Sequence, residues 1–205
     1  MKKVTTKTKS GEVLVKDILD VNINPDKRVI NDYRTLKKVV KRLKAAGYRI
    51  VLTQGVWDLI HEGHARYLQK AKAQGDILIV GVDSDKLTKK RKGPRRPIVP
   101  EDERIRMISH LRHVDIITTR HVNDDIGKLI NTVEPDVLIV SKSTGDFSDN
   151  QKNGYGNVCG KIIDLKHQAT TSTSARIRNL TIEGAEDLAD QVHDLIENFL
   201  NKIKN

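Results

Sequence analysis

Between Arg49 and Leu165 the chain alternates short, continuous apolar runs with longer stretches of helical periodicity, and no other feature restricts its fold as strongly. The runs Arg49–Thr53, Asp76–Val82, Asp115–Thr118, Val137–Val140 and Lys161–Leu165 read as strands, and 62–74, 101–111 and 124–133 read as helices. Strands that are apolar at successive positions, rather than at every second one, are buried on both faces. The α/β architecture that achieves this is a parallel sheet with helices on both sides, and such sheets bind ligands beyond the carboxyl ends of their strands. Ahead of the first strand, Leu36, Val39, Val40 and Leu43 recur at helical spacing before the stop signal Gly47, so residues 32–46 form an amphipathic helix. Residues 1–30 have no strong periodicity and are expected to be an arm. The main domain is then expected over 31–180. After it, Leu188, Val192, Leu195, Ile196, Phe199 and Ile203 lie on one stripe of a helix over about 185–202, which either packs on the domain or pairs with a second copy in a homodimer.

Composition removes several classes. With 37 Lys and Arg against 27 Asp and Glu, the formal charge is +10, which suits a polyanionic partner. The seven aromatic residues are scattered, so the interleaved basic and aromatic pattern of a base-stacking nucleic-acid platform is missing. One cysteine, Cys159, excludes a disulfide scaffold. No apolar run approaches the roughly 20 residues of a membrane helix, and the polar start lacks a signal peptide's apolar stretch, so a cytoplasmic protein with no membrane partner is expected.

The common nucleotide motifs are absent. Gly154-Tyr-Gly-Asn-Val-Cys-Gly160 is one residue off the dinucleotide fingerprint and precedes a strand where that motif must follow one. Gly160-Lys161 is followed by Ile162 rather than Ser or Thr, so it is no P-loop. The segment Thr53-Gln-Gly-Val-Trp-Asp-Leu-Ile-His-Glu-Gly-His64 instead runs from the end of the first strand through a turn at Gly55 into a helix. His61 and His64, three apart, fall on one face of that helix or its first turn, with Gly63 leaving room between them. Helix N–H groups, the dipole and two imidazoles converge there on a site for phosphate oxygens. An ordinary capping turn is the plainer alternative. A metalloprotease helix needs its histidines four apart, and no third ligand stands out, so no dedicated metal site is expected.

This segment resembles the H-x-G-H nucleotidyltransferases, and residues 33–115 are similar to the heptose 1-phosphate adenylyltransferases. The resemblance extends through Gly81-Val-Asp-Ser-Asp85, Lys92-Gly-Pro-Arg-Arg-Pro97 and the helix from Glu103-Arg104 to Asp115. Thr170-Thr-Ser-Thr-Ser-Ala-Arg-Ile-Arg178 resembles the family's closing Ser/Thr-rich turn, and Gly145-Asp146-Phe147 its Gly-Asp-Tyr. Gln54 stands where the heptose enzymes usually show Asn, and Trp57 replaces a common Phe.

The resemblance implies a Rossmann-like, doubly wound sheet and attack of a phosphate monoester on the α-phosphorus of a nucleoside triphosphate, ATP first, releasing pyrophosphate. It implies His61 and His64 as catalytic residues. Gln54, Gly55, Val56, Trp57, Arg104, Gly145, Asp146, Thr173 and Ser174 would bind the nucleotide, and Asp83, Lys89 and Lys92 the phosphorylated acceptor. For Thr173 and Ser174 a simple helix cap is the alternative, for Asp83 a turn, and for the basic stretch 86–96 a solvated loop or an RNA-binding patch. Mg²⁺ is expected to arrive on the triphosphate, since it relies on substrate phosphates more than on protein ligands. The competing functions are cytidylyl transfer from CTP to glycerol 3-phosphate or another phosphoalcohol, and a basic binding module without catalysis.

Overall fold

The computed structural model describes residues 24–141, 154–166, 168 and 173–204. The chain forms two compact units, Met1–Gln168 and Ala169–Asn205. The first holds five parallel strands: β1 (Ile50–Gly55), β2 (Ile77–Asp83), β3 (Ile116–Arg120), β4 (Val137–Ser141) and β5 (Lys161–Leu165). Their order is β3-β2-β1-β4-β5, so the direction of winding reverses between β1 and β4. That reversal makes the expected Rossmann-like, doubly wound sheet, and the crevice outside the carboxyl ends of β1 and β4 is where such sheets take ligands.

Alternate residues of each strand enter two separate cores. On one face Ile50, Leu52, Ile77, Ile79, Ile116, Leu138 and Val140 pack with α1 (Tyr33–Ala45) and α5 (Lys128–Val133). On the other, Val51, Leu78, Val80, Val82, Ile117, Val137 and Ile139 pack with α2 (Glu62–Lys72) and α4 (Glu101–Ser109). Both faces of β1 to β4 are covered, which is why those strands read as unbroken apolar runs, whereas the edge strand β5 exposes Lys161 and Asp164. The Asp32 carboxylate caps α1, accepting from Arg34 N and Thr35 N, and Gly47 at φ +87° turns the chain toward β1.

Three details differ from the sequence expectation. The end of the N-terminal arm docks: Pro25–Arg28 form a short 3₁₀ helix, Ile30 N donates to Ile117 O at 2.8 Å, and the Ile30 side chain is buried. The basic stretch begins as a helix, α3 (Asp85–Lys92), because Ser84 caps it at Leu87 N and Leu87 and Thr88 supply a buried side. Among the described residues the second unit holds one helix, α6 (Thr173–Lys204), which opens at Thr173, where the Ser/Thr-rich turn places a helix start, and runs on through the whole apolar stripe rather than over 185–202 alone. Among the described residues no helix is long and apolar enough to cross a membrane.

Candidate active site

The turn between β1 and α2 has a strained backbone. Trp57 and Leu59 adopt left-handed conformations, φ +59° and +44°, each costing on the order of 1–2 kcal/mol for a residue with a Cβ. Long-range anchors offset that cost. Trp57 Nε1–H donates to Gly81 O on β2 at 3.0 Å. Asp58, nearly buried, accepts from Arg96 Nη1 at 2.8 Å and from the backbone N–H groups of Ile98 and Val99 at 3.0 Å. Arg104 Nη1 donates to Val56 O. The turn is thereby tied to β2, to the segment after α3 and to α4.

His61 ends this turn in extended conformation and caps α2. Its Nδ1 accepts from Gly63 N at 3.0 Å, and His64 Nδ1 accepts from His61 N at 3.3 Å, which closes a reciprocal capping box. The capping alternative and the ligand-binding reading are therefore compatible. With Nδ1 accepting in both rings, the proton of each neutral imidazole sits on Nε2. The ring centroids are 4.2 Å apart. Burial lowers the pKa of His64 to about 4, assisted by the neighbouring His61 and Lys92 and opposed by Asp58. His64 is thus a neutral hydrogen-bond donor at pH 7, placed at the positive end of a helix.

The structure brings Gly55, Val56, Trp57, His61, His64 and Lys92 to the carboxyl ends of β1 and β2. Gln54 is the penultimate residue of β1, with Nε2 donating to Ile126 O at 3.1 Å and Oε1 buried without a partner. Lys89 and Lys92 stand exposed on the last turn of α3. Two expected ligand contacts turn out to be interior groups. Arg104 is 1 % exposed and donates to Val99 O, Val56 O, Asp83 O and the Asp85 carboxylate. Asp83 is wholly buried, with one carboxylate oxygen held by Arg91 and the other by Arg120 at 2.8 Å. Their bonds tie together the ends of β1, β2 and β3 and the segment around α3. Thr173 and Ser174 are the first residues of α6, described in backbone only, and Gly145 and Asp146 lie outside the described residues.

Asp58, Arg91, Arg96 and Arg120 belong to this edge but were not singled out from the sequence. Asp58 lies inside the histidine segment and Arg96 inside the basic run, yet nothing local pairs residues 38 positions apart. Among the described residues no group of three or more His, Cys, Asp or Glu side chains is arranged to hold a metal ion. The buried carboxylates near the histidines are engaged by arginines.

Comparison with known proteins gives the family. Residues 52–179 match the model of the cytidylyltransferase-like family. The bifunctional protein HldE of Nitratiruptor sp. is 36 % identical over 159 residues, 76 % of this chain and 33 % of that protein. HldE of Geotalea uraniireducens is 32 % identical over 187 residues, 88 % of this chain and 37 % of that one. The chain therefore spans about a third of the length of these relatives. Among solved structures, a lipopolysaccharide core biosynthesis protein from Thermoplasma volcanium superposes with a TM-score of 0.53 at 30 % identity, covering 60 % of this chain and all of that one. A pantoate-beta-alanine ligase from Francisella tularensis shares the fold, with a TM-score of 0.52 at 17 % identity over 74 % of this chain and 72 % of that one. On sequence, fold and the histidine-capped helix at the end of β1, the chain belongs to the cytidylyltransferase-like family of nucleotidyltransferases.

Proposed function

We propose that this protein transfers a nucleoside monophosphate, from ATP first, to a sugar phosphate of the heptose 1-phosphate type. The observation that carries the reading is the pair of Nδ1-anchored imidazoles at the N-terminus of α2. The similarity to HldE and to a lipopolysaccharide core biosynthesis protein supports a sugar phosphate as acceptor.

In the reaction, an oxygen of the acceptor's phosphate attacks the α-phosphorus of the triphosphate. A new P–O bond forms, the bond from the α-phosphorus to the bridging oxygen breaks, and pyrophosphate leaves with the electron pair. The attacking monoester has its second pKa near 6 and is largely dianionic at neutral pH, so no general base is needed. Catalysis then rests on positioning and on stabilising charge on the phosphate oxygens. His61 and His64 donate from Nε2 to those oxygens, and a neutral His64 does so without surrendering a proton. Gly55 and Val56 shape the nucleotide side of the crevice, with Gln54 beside them, and the buried Trp57 stands behind them rather than lining it. Lys89 and Lys92 draw the acceptor's phosphate. Gly145, Asp146, Thr173 and Ser174 complete the nucleotide contacts in this proposal. If Mg²⁺ is bound, the substrate's triphosphate rather than a dedicated set of residues would hold it, and it would supply charge neutralisation of the leaving group.

Cytidylyl transfer from CTP to a phosphoalcohol is the second reading, favoured by the family whose model the chain matches. The two separate in a pyrophosphate-release assay of ATP, CTP, GTP and UTP against heptose 1-phosphate, glycerol 3-phosphate, phosphoethanolamine, phosphocholine and FMN, with His61→Ala as control. ATP with heptose 1-phosphate is the expected productive pair. CTP with a phosphoalcohol would keep the mechanism and replace the substrates. Nucleotide or RNA binding without turnover across the whole panel would favour a binding module.

A further inference from the structure

Trp57 is the chain's single tryptophan. It holds a left-handed backbone conformation that a bulky residue adopts only where its surroundings enforce it. Its indole N–H donates to Gly81 O in the interior, and the side chain is 6 % exposed. The ring meets two others. His64 lies edge-on, with centroids 5.7 Å apart and planes at 63°, and Tyr67 lies at 5.8 Å and 56°. Tyr67 is fixed in turn, its hydroxyl 2.9 Å from Thr53 Oγ1 and donating to Ile139 O at 3.4 Å. Through two rings, the carboxyl halves of β1, β2 and β4 are therefore connected to one imidazole.

We propose that Trp57 is the positioning residue of His64, its indole latched to the Gly81 carbonyl so that the ring sets the imidazole's plane and keeps water from it. The inference rests on the assignment of His64 to nucleotidyl transfer and adds a residue whose contribution passes through another side chain. The N–H is what a phenyl ring lacks. Trp57→Phe removes the donor to Gly81 O and part of the surface against His64, while the anchors of the turn at the Val56 carbonyl and the Asp58 carboxylate remain. The groups that bear on His64 are His61, Lys92 and Asp58 by charge, Trp57 by ring contact, and Tyr67, which packs on Trp57 and whose hydroxyl, pushed up to about 12 by burial, stays neutral. Only the tryptophan changes in the variant. Since burial is the main cause of the low pKa of His64, admitting water raises that pKa while the charged neighbours stay as they were.

The test uses the full chain and NMR, where a single tryptophan gives a single indole resonance. In the unaltered protein the indole proton is expected to exchange with solvent on the order of 10²-fold more slowly than a free indole, as a buried hydrogen bond requires. In Trp57→Phe the His64 titration midpoint is expected to rise by about one pH unit. Turnover of ATP with heptose 1-phosphate is expected to fall about tenfold at unchanged KM, since the loss is one of alignment. A variant that lost only stability would show the wild-type titration and turnover per folded molecule. Free-indole exchange in the wild type, or an unmoved His64 titration in the variant, overturns the latch. The exchange reading needs no variant, so a Trp57→Phe chain that failed to fold would still leave the proposal exposed to refutation. Neither NMR measurement needs a substrate, so a wild type that released no pyrophosphate would overturn the proposed reaction and leave the latch to be judged on exchange and titration.

Discussion

The two edges of the sheet use carboxylates differently. At the amino edge, carboxylates fix where strands begin. Asp76 accepts from Arg49 N at 2.8 Å, Asp136 from Ile50 N at 2.7 Å, and Asp115 from Leu78 N at 2.7 Å while also pairing with Lys72. At the carboxyl edge, Asp58, Asp83 and Asp85 bind arginines instead, and those pairs hold loops rather than strand starts. The polar atoms left over divide the same way. Of the five buried side-chain atoms without a partner among the described residues, Gln54 Oε1, Thr88 Oγ1, Thr118 Oγ1 and Arg120 Nε belong to the carboxyl halves of the strands or to α3, and Arg28 Nε alone does not. Gln54, Gly81 and Thr118 are in register across β1, β2 and β3, so two of these atoms flank one glycine. A Cβ on Gly81 would stand 2.6 Å from Leu129 Cδ2 and 3.1 Å from Gln54 Cβ, which is why that position has no side chain. Among the described residues, most of the unmet hydrogen bonds and two of the three left-handed non-glycine residues, Trp57 and Leu59, lie toward the carboxyl edge, while the third, Glu134, precedes β4 at the amino edge.

That contrast is open to attack, beginning where the largest effect is expected. Arg104→Met strips a donor from three carbonyls and from Asp85, and should cost about 3–5 kcal/mol in urea unfolding, as for other broken buried pairs. A loss below about 1 kcal/mol would mean that the carboxyl edge does not depend on this strut. His61→Ala or His64→Ala should slow pyrophosphate release by on the order of 10²- to 10³-fold. Losing one side of the capping box adds only about 1 kcal/mol of destabilisation. The pattern is the reverse of that for Arg104, with a large rate effect beside a small stability effect.

The His64 ring adds a pH dependence of definite sign. Its folded pKa, about 4, lies below the ordinary 6.5, so between these values the unfolded chain binds a proton that the folded chain does not. The stability tied to His64 is complete above pH 6.5 and is lost as pH falls toward 4, by at most about 3 kcal/mol. Thermal unfolding at a series of pH values should show this slope, and His64→Gln should flatten it. The smallest effect belongs to the amino edge. Asp136→Ala should cost about 1–3 kcal/mol by removing the acceptor for Ile50 N, with kcat unchanged per folded molecule. A fall in kcat there would blur the distinction between the edges.

What the sequence disclosed follows the same division. Strands β1 to β4 were legible because both their faces are buried, and the histidine pair because strand end, glycine turn, capping residue and helix start lie within a dozen positions. Helix α3 was obscured by its composition, since Lys86, Lys89, Lys90, Arg91 and Lys92 hide the short buried side of Leu87 and Thr88. Helix α5 begins at Lys128 rather than near 124 because Asp124 and Asp125 turn back on His121 N and Gly127 N. The pairs Asp58–Arg96 and Asp83–Arg120 were invisible because the order of strands, not spacing along the chain, brings their members together. Arg104 read as a ligand contact from its place in a motif. Its burial follows from the packing of α4 against β2 and β3, which no local pattern announces.

The central claim, that the two imidazoles at the carboxyl edge promote transfer of a nucleotidyl group, is tested most directly with ATP labelled at its α-phosphorus and heptose 1-phosphate as acceptor. The wild type and His61→Ala are followed side by side at matched folded concentration. The account predicts that the label moves into a sugar nucleotide as unlabelled pyrophosphate is released, and that His61→Ala does this at least about a hundredfold more slowly. Equal rates of transfer by the two proteins would contradict it.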